Sequence, residues 1–195
     1  MVIAIVGATG LVGSEIIKVL EEKKIKKIKK VLFVATQKSV GKKIIYNKQT
    51  YKIITIKEAL QKKPDFALFS AGSKVSKKHA KEFSKKGTKV IDNSSAFRMD
   101  KKIKLIVPEI NSKNIKKTDK IIANPNCSTI QLVLALSPVH KKYKIKRIIV
   151  STYQAVVGTG HLALKQLEEE EQGVTKTKVY KKKHTQKYYT PLRRI

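Results

Sequence analysis

Val2-Ile3-Ala4-Ile5-Val6-Gly7-Ala8-Thr9-Gly10-Leu11-Val12-Gly13 decides the fold class of this chain. Val2 to Val6 is all apolar and does not alternate, so it predicts a strand covered on both faces, as parallel sheets require. Gly7 ends that run. Leu11, Val12, Ile16, Val19 and Leu20 then recur at near-helical spacing up to about residue 24, with Lys and Glu on the other side. Val31 to Ala35 predicts a second buried strand, which completes a right-handed βαβ unit. Apolar segments at Tyr51 to Ile54, Phe66 to Ser70, Lys89 to Ile91, Leu105 to Val107 and Ile121 to Ala123 follow, alternating with helical stretches such as Lys74 to Lys86. The expected architecture is α/β, a Rossmann-type doubly wound parallel sheet. Asn124-Pro125-Asn126 reads as a turn and a domain boundary near 125. Beyond it, a helix from Thr129 to Lys141, a strand from Arg147 to Tyr153 and a helix ending near Glu171 are predicted.

The composition supports a packed protein. In 195 residues, 41% are hydrophobic and 30% charged, and there is one cysteine. Disordered, collagen-like and disulfide-scaffold readings are excluded, and a lone thiol fits a reducing compartment. No basic leader precedes the first apolar run and no segment is long enough to span a membrane, so a cytoplasmic protein is expected. The formal net charge is +30. It comes from 40 Lys against 4 Arg, beside 23 Ile and no Trp. Lys and Ile share A/T-rich codons, so drifted base composition accounts for both, whereas nucleic-acid recognition would favour Arg forks. The lysines read as spread over nearly every loop and helix, and a nucleic-acid partner is not expected.

Three groups of residues carry chemistry. Gly7, Gly10 and Gly13 sit between a strand and a helix, where backbone amides and the helix N-terminus can hold a pyrophosphate. The spacing is GxxGxxG rather than GxGxxG, so on spacing alone a plain tight turn stays open. The second strand ends Ala35-Thr36-Gln37-Lys38-Ser39 without a carboxylate for ribose hydroxyls. Thr36, Lys38 and Ser39 suit a 2′-phosphate, which favours NADP over NAD, the alternative being a solvated lysine in a lysine-rich loop. Cys127 lies at a turn just ahead of a helix, where free N–H groups and the dipole favour a thiolate nucleophile over a core thiol.

GATGLVG at Gly7 to Gly13, DNSSAFR at Asp92 to Arg98, VPEIN at Val107 to Asn111, NPNCSTIQ at Asn124 to Gln131 and STYQAV at Ser151 to Val156 resemble, in order and spacing, the aspartate-β-semialdehyde dehydrogenase family. N-acetyl-γ-glutamyl-phosphate reductases carry a Gly before their cysteine and an aromatic after it, so Asn126 and Ser128 argue against them. The resemblance implies a dinucleotide domain over 1–125 and the beginning of an α+β substrate and dimerisation domain over 126–195. It implies NADP-dependent reductive dephosphorylation of β-aspartyl phosphate to aspartate semialdehyde, in lysine, methionine and threonine biosynthesis. Cys127 would form a thioester and Gln154 would orient it. Arg98 and Asn126 would hold substrate or phosphate, a surface salt bridge being the plainer reading of Arg98. Gly7, Thr9, Gly10, Leu11, Val12, Gly13, Thr36, Lys38, Ser39, Asn93 and Gly158 would line the NADP(H) site, with no metal. The resemblance implies a homodimer for full-length members, and half of that dimer surface would be missing from this chain.

Departures from the pattern set further expectations. Val157 stands where the family commonly has a hydroxyl residue. None of His79, His140, His161 or His184 lies in a motif matching the family's general acid/base, so no catalytic role is given to them. The tail from Lys181 to Ile195 does not resemble the family and reads as a frameshift or early stop. The 195-residue chain alone is therefore expected to turn over very slowly. A dinucleotide-binding module without turnover and a basic nucleic-acid binder are the other readings.

Overall fold

The computed structural model describes residues 1–174 and Val179. Among them, β1 (Val2–Val6), α1 (Leu11–Lys23) and β2 (Lys30–Val34) form the expected βαβ unit. A hairpin follows, β3 (Lys43–Tyr46) and β4 (Gln49–Lys52), then α2 (Ile56–Gln61), β5 (Phe66–Phe69), α3 (Ser73–Lys85) and β6 (Lys89–Asp92). Next come β7 (Lys104–Leu105), α4 (Pro108–Asn111), β8 (Ile121–Ala123), α5 (Cys127–Tyr143) and α6 (His161–Glu171). The main sheet runs β2-β1-β5-β6-β8-β7 with every pairing parallel. From β1 the chain turns outward to β2 and later returns to β5 on the other side. The strand order therefore reverses between β1 and β5, the place where such sheets bind ligands at their carboxyl ends.

Alternation along each strand divides the core in two. Ala4 and Val6, with Leu32, Val34, Ala67 and Phe69, pack against Ala59 of α2 and Ala80 and Phe83 of α3. Ile5, Val31 and Phe33 face Ile17 and Leu20 of α1 and Tyr46 of the hairpin. Phe69 and Phe83 meet edge to face with centroids 5.5 Å apart, a geometry the ring quadrupoles favour. Local chemistry sets the helix ends. Thr55 and Glu58 form a reciprocal capping box that starts α2.

Two predicted strands take another form. Tyr51 to Ile54 was expected in the main sheet, but Tyr51 and Lys52 pair antiparallel with β3, and only Ile54 makes a single parallel bridge to Val34. The Asn47–Lys48 turn, with φ 48° and 63°, folds the segment back on its predecessor before it can extend along β2. Arg147 to Tyr153 is not a strand, and Ile149 is 80% and Tyr153 100% exposed. Its β-branched composition suits a strand, but no neighbouring strand pairs with it among the described residues. The start of the helix predicted from Thr129 also moves, to Cys127, because Asn126 caps it.

Candidate functional site

Gly7 follows β1 with φ +97°, and the Gly7 and Ala8 N–H groups donate to the Val34 carbonyl at 2.8 and 3.1 Å. These bonds fasten the loop to the end of β2. A Cβ on Gly13 would lie 2.0 Å from the Gly7 oxygen, and one on Gly7 would lie 2.8 Å from the Ala71 nitrogen. Close approach of the α1 helix start and the 70–72 turn therefore requires glycine at both places. Gly10 is the N-cap of α1, no side chain caps it, and the first turn holds no acidic residue. The Leu11, Val12 and Gly13 amides thus open α1 without a competing anion, and Thr9 is exposed beside them. This cradle fits the phosphates of a dinucleotide. Thr36 and Lys38 are exposed and Ser39 half-buried in the short 3₁₀ turn Gln37–Ser39 that follows β2, next to that cradle.

Cys127 is exposed at the first turn of the 17-residue α5. The Asn126 side chain caps this helix, its Oδ1 accepting from the Ser128 N–H at 3.0 Å, with the Cys127 Sγ 4.0 Å away. A polar network fixes the turn before it. Asn124 donates its N–H to the Asp92 carbonyl at 2.8 Å and its Nδ2 to Asn93 Oδ1 at 2.7 Å. Arg98 then joins both loops, Nε donating to the Asn124 carbonyl and Nη2 to the Asn93 carbonyl, each at 2.9 Å. The guanidinium is thereby held at the carboxyl ends of β6 and β8. Below it, the fully buried Asp92 carboxylate accepts from Ser76 Oγ at 2.6 Å and from Ser94 Oγ at 2.8 Å.

The glycine loop and Cys127 therefore share one edge of the sheet, three strand positions apart, or about 14 Å at the usual spacing. Asn93 and Arg98 meet there, directly and through Asn124, and Asn126 follows two residues later in the same turn. Gln154 and Gly158 do not join them by any contact among the described residues: Gln154 Nε2 donates to Thr152 Oγ1 at 3.3 Å, and Gly158 lies exposed in a 3₁₀ turn. His79 sits 2.7 Å from Glu82 on α3. His140 is in the last turn of the helix that Cys127 begins, about 20 Å away at 1.5 Å per residue. His161 opens α6, and His184 lies outside the described residues, as does the tail from Lys181. Among the described residues no cluster of His, Cys, Asp and Glu could hold a metal, and no helix is long and apolar enough to cross a membrane.

Several contributors went unread in the sequence. The Ser70-Ala71-Gly72 turn touches Gly7, and Asp92, Ser76 and Asn124 build the network under Arg98. An aspartate directly after the apolar pair Val90-Ile91 was the available signal, since a buried carboxylate needs donors nearby.

The family model for the semialdehyde dehydrogenase NAD-binding domain matches residues 2–118. An aspartate-semialdehyde dehydrogenase of Aquifex aeolicus is 50% identical over 169 residues, covering 85% of this chain and 49% of that protein. The crystal structure of aspartate semialdehyde dehydrogenase II from Vibrio cholerae superposes with a TM-score of 0.79 at 39% identity, over 88% of this chain and 53% of that one. An aspartate semialdehyde dehydrogenase from Candida albicans, solved with NADP, gives a TM-score of 0.65 at 25% identity, over 74% and 48% of the two chains. The chain spans about half the length of the curated relatives it matches.

Proposed function

The chain belongs to the semialdehyde dehydrogenase family through its NAD-binding domain, and we propose that it carries the cofactor site and nucleophile of an NADP-dependent aspartate-semialdehyde dehydrogenase. The observation that carries this reading is the exposed Cys127 thiol at a helix N-terminus, on the sheet edge that also bears the glycine cradle. Residues 1–125 form the cofactor domain in this proposal, and 126–195 begin the substrate and dimerisation domain. The pyrophosphate lies on Gly7, Thr9, Gly10, Leu11, Val12 and Gly13. Thr36, Lys38 and Ser39 take the 2′-phosphate, and Asn93 and Gly158 take the nicotinamide end. In this proposal the protein works in the cytoplasm, and the homodimer belongs to the full-length family rather than to this chain alone.

The Cys127 thiolate attacks the acyl carbon of β-aspartyl phosphate. The bond from carbon to phosphate oxygen breaks, phosphate leaves, and a thioester remains. NADPH, when bound, supplies the hydride that reduces the acyl group to the aldehyde, and the sulfur departs as thiolate. N–H groups at the start of α5 face the charge that develops on the acyl oxygen. Arg98 holds the phosphate, with Asn126 beside it, while its bonds to the Asn93 and Asn124 carbonyls keep the cofactor loop and the cysteine turn in register. Gln154 orients the thioester.

A second reading, a dinucleotide-binding module with little turnover, is favoured by the separation of His140 from Cys127 and by the exposed segment bearing Gln154. One experiment separates the two. With aspartate semialdehyde and NADP⁺ but no phosphate, the chain should form NADPH and gain an aspartyl group on Cys127 by mass spectrometry, both absent in Cys127→Ser. Continued NADPH formation after phosphate is added identifies the enzyme. Quenching of NADPH fluorescence without any acyl adduct overturns the enzymatic reading in favour of the module.

A further inference from the structure

In an all-parallel sheet, segments that lead into strands gather at one edge and segments that leave them gather at the other. Lysines far apart in sequence therefore meet along the edge remote from Cys127. Five leading segments carry them: KIKKIKK at 24–30, KKPD at 62–65, KGTK at 86–89, KKIK at 101–104 and KKTDK at 116–120. The opposite edge differs. GATG at 7–10, SAG at 70–72, NSSAF at 93–97 and NPN at 124–126 contain no lysine, and only the segment after β2 adds Lys38 and Lys42. The fold sorts these strand-flanking loops by direction, while the remaining lysines are spread over helices and other connections as the sequence suggests.

The aspartates of this edge bond to the backbone. Asp65, Asp100 and Asp119 each accept a backbone N–H, from Val2, Lys102 and Lys116. The ion pairs Lys18–Glu15, His79–Glu82 and Lys165–Glu169 lie outside the five leading segments. Two clefts open at the ends of the row, by the outermost strands β2 and β7. The larger, about 400 Å³, is bordered by Lys24, Lys29, Lys30, Asn47 and Tyr51. The smaller, about 230 Å³, is bordered by Lys101 and Lys104. Five strand spacings between them make roughly 24 Å.

We propose that this lysine edge binds single-stranded nucleic acid through its phosphates, independently of sequence and of the cysteine site. A row of cations of this kind is the arrangement that tracks a flexible phosphate backbone without reading its bases. A membrane surface fits less well, because interfacial binding uses an amphipathic helix lying flat, and here the lysines stand on loops while Ile17 and Leu20 of α1 are buried. Codon drift as the origin of the lysines leaves the field unchanged, since counterion release depends on where the charges are.

Fluorescence anisotropy of the full chain with a labelled oligothymidylate tests this, comparing two variants that each remove four charges. Replacing Lys26, Lys27, Lys102 and Lys117 by Gln should weaken binding at least tenfold and reduce the log-log salt slope by about three. Replacing Lys74, Lys77, Lys78 and Lys81 on the outer face of α3 should weaken it less than about twofold. Equal loss in the two variants overturns the proposal, as does absence of binding by the unaltered chain at physiological salt. Cosedimentation with phosphatidylserine vesicles in place of oligonucleotide binding overturns it too. Unchanged NADPH quenching in both variants shows that neither substitution unfolded the chain.

Discussion

Ile121–Ala123 and residues 147–153 both contain a pair of adjacent isoleucines, and the second is longer, with four β-branched residues to the first's two, yet the first is a strand and the second is exposed chain. Ile121 to Ala123 lies between β6 and β7, each of which pairs with it in parallel. The later run has no such neighbours among the described residues. A strand is a property of a pair of segments, so propensity marks where one can form and partners decide whether it does. The same contrast separates the packed sheet up to residue 123 from the helices and connections after it.

The sharpest way to break this comparison is to remove a side chain from each region. Phe83, fully buried against Phe69, should cost about 3–5 kcal/mol when changed to Ala, measured by denaturant unfolding. Ile149→Ala should change stability by less than about 0.5 kcal/mol. A large loss at Ile149 would mean that the later run is covered in solution.

Within the sheet region the glycine cradle is the next test. Gly13→Ala drives a Cβ into the Gly7 carbonyl, and overpacking of this kind typically costs about 1–3 kcal/mol. NADPH quenching should weaken more than tenfold alongside it. Normal binding in that variant would detach the cofactor from the loop.

The smallest expected effect lies at α2. Hydrogen bonds from the Thr55 backbone, then from its hydroxyl, hold Glu58 below its ordinary carboxylate value. Because the folded value is lowered, its stabilising contribution is present above the ordinary carboxylate range and is lost as pH falls through the lowered value. The melting-temperature difference between the unaltered chain and Glu58→Gln should therefore be small at neutral pH and vanish in acid. A difference that persists in acid would assign the effect to packing.

Much of the site was legible because its parts are local. Gly7 to Gly13 joins a strand to a helix within one turn, and Cys127 stands beside a capping asparagine. Arg98 was legible as a planar donor, but not as the bond between the Asn93 and Asn124 carbonyls, since Asn124 is 26 residues away in the chain. The hairpin at 43–52 was missed because a turn of two non-glycine residues with positive φ gives a weak signal.

Sequence alone determined the elements whose cause is near in the chain: β1, the glycine turn, the α1 stripe and a helix following the Asn124–Asn126 turn. Backbone geometry and hydrophobic periodicity act over a few residues, so they can be read without knowing the neighbours. Tertiary structure alone decided the buried Asp92 network, the unpaired run at 147–153 and the gathering of lysines on one edge. Each depends on which distant segments the parallel sheet brings side by side, and burial, pairing and summed charge are set by that adjacency.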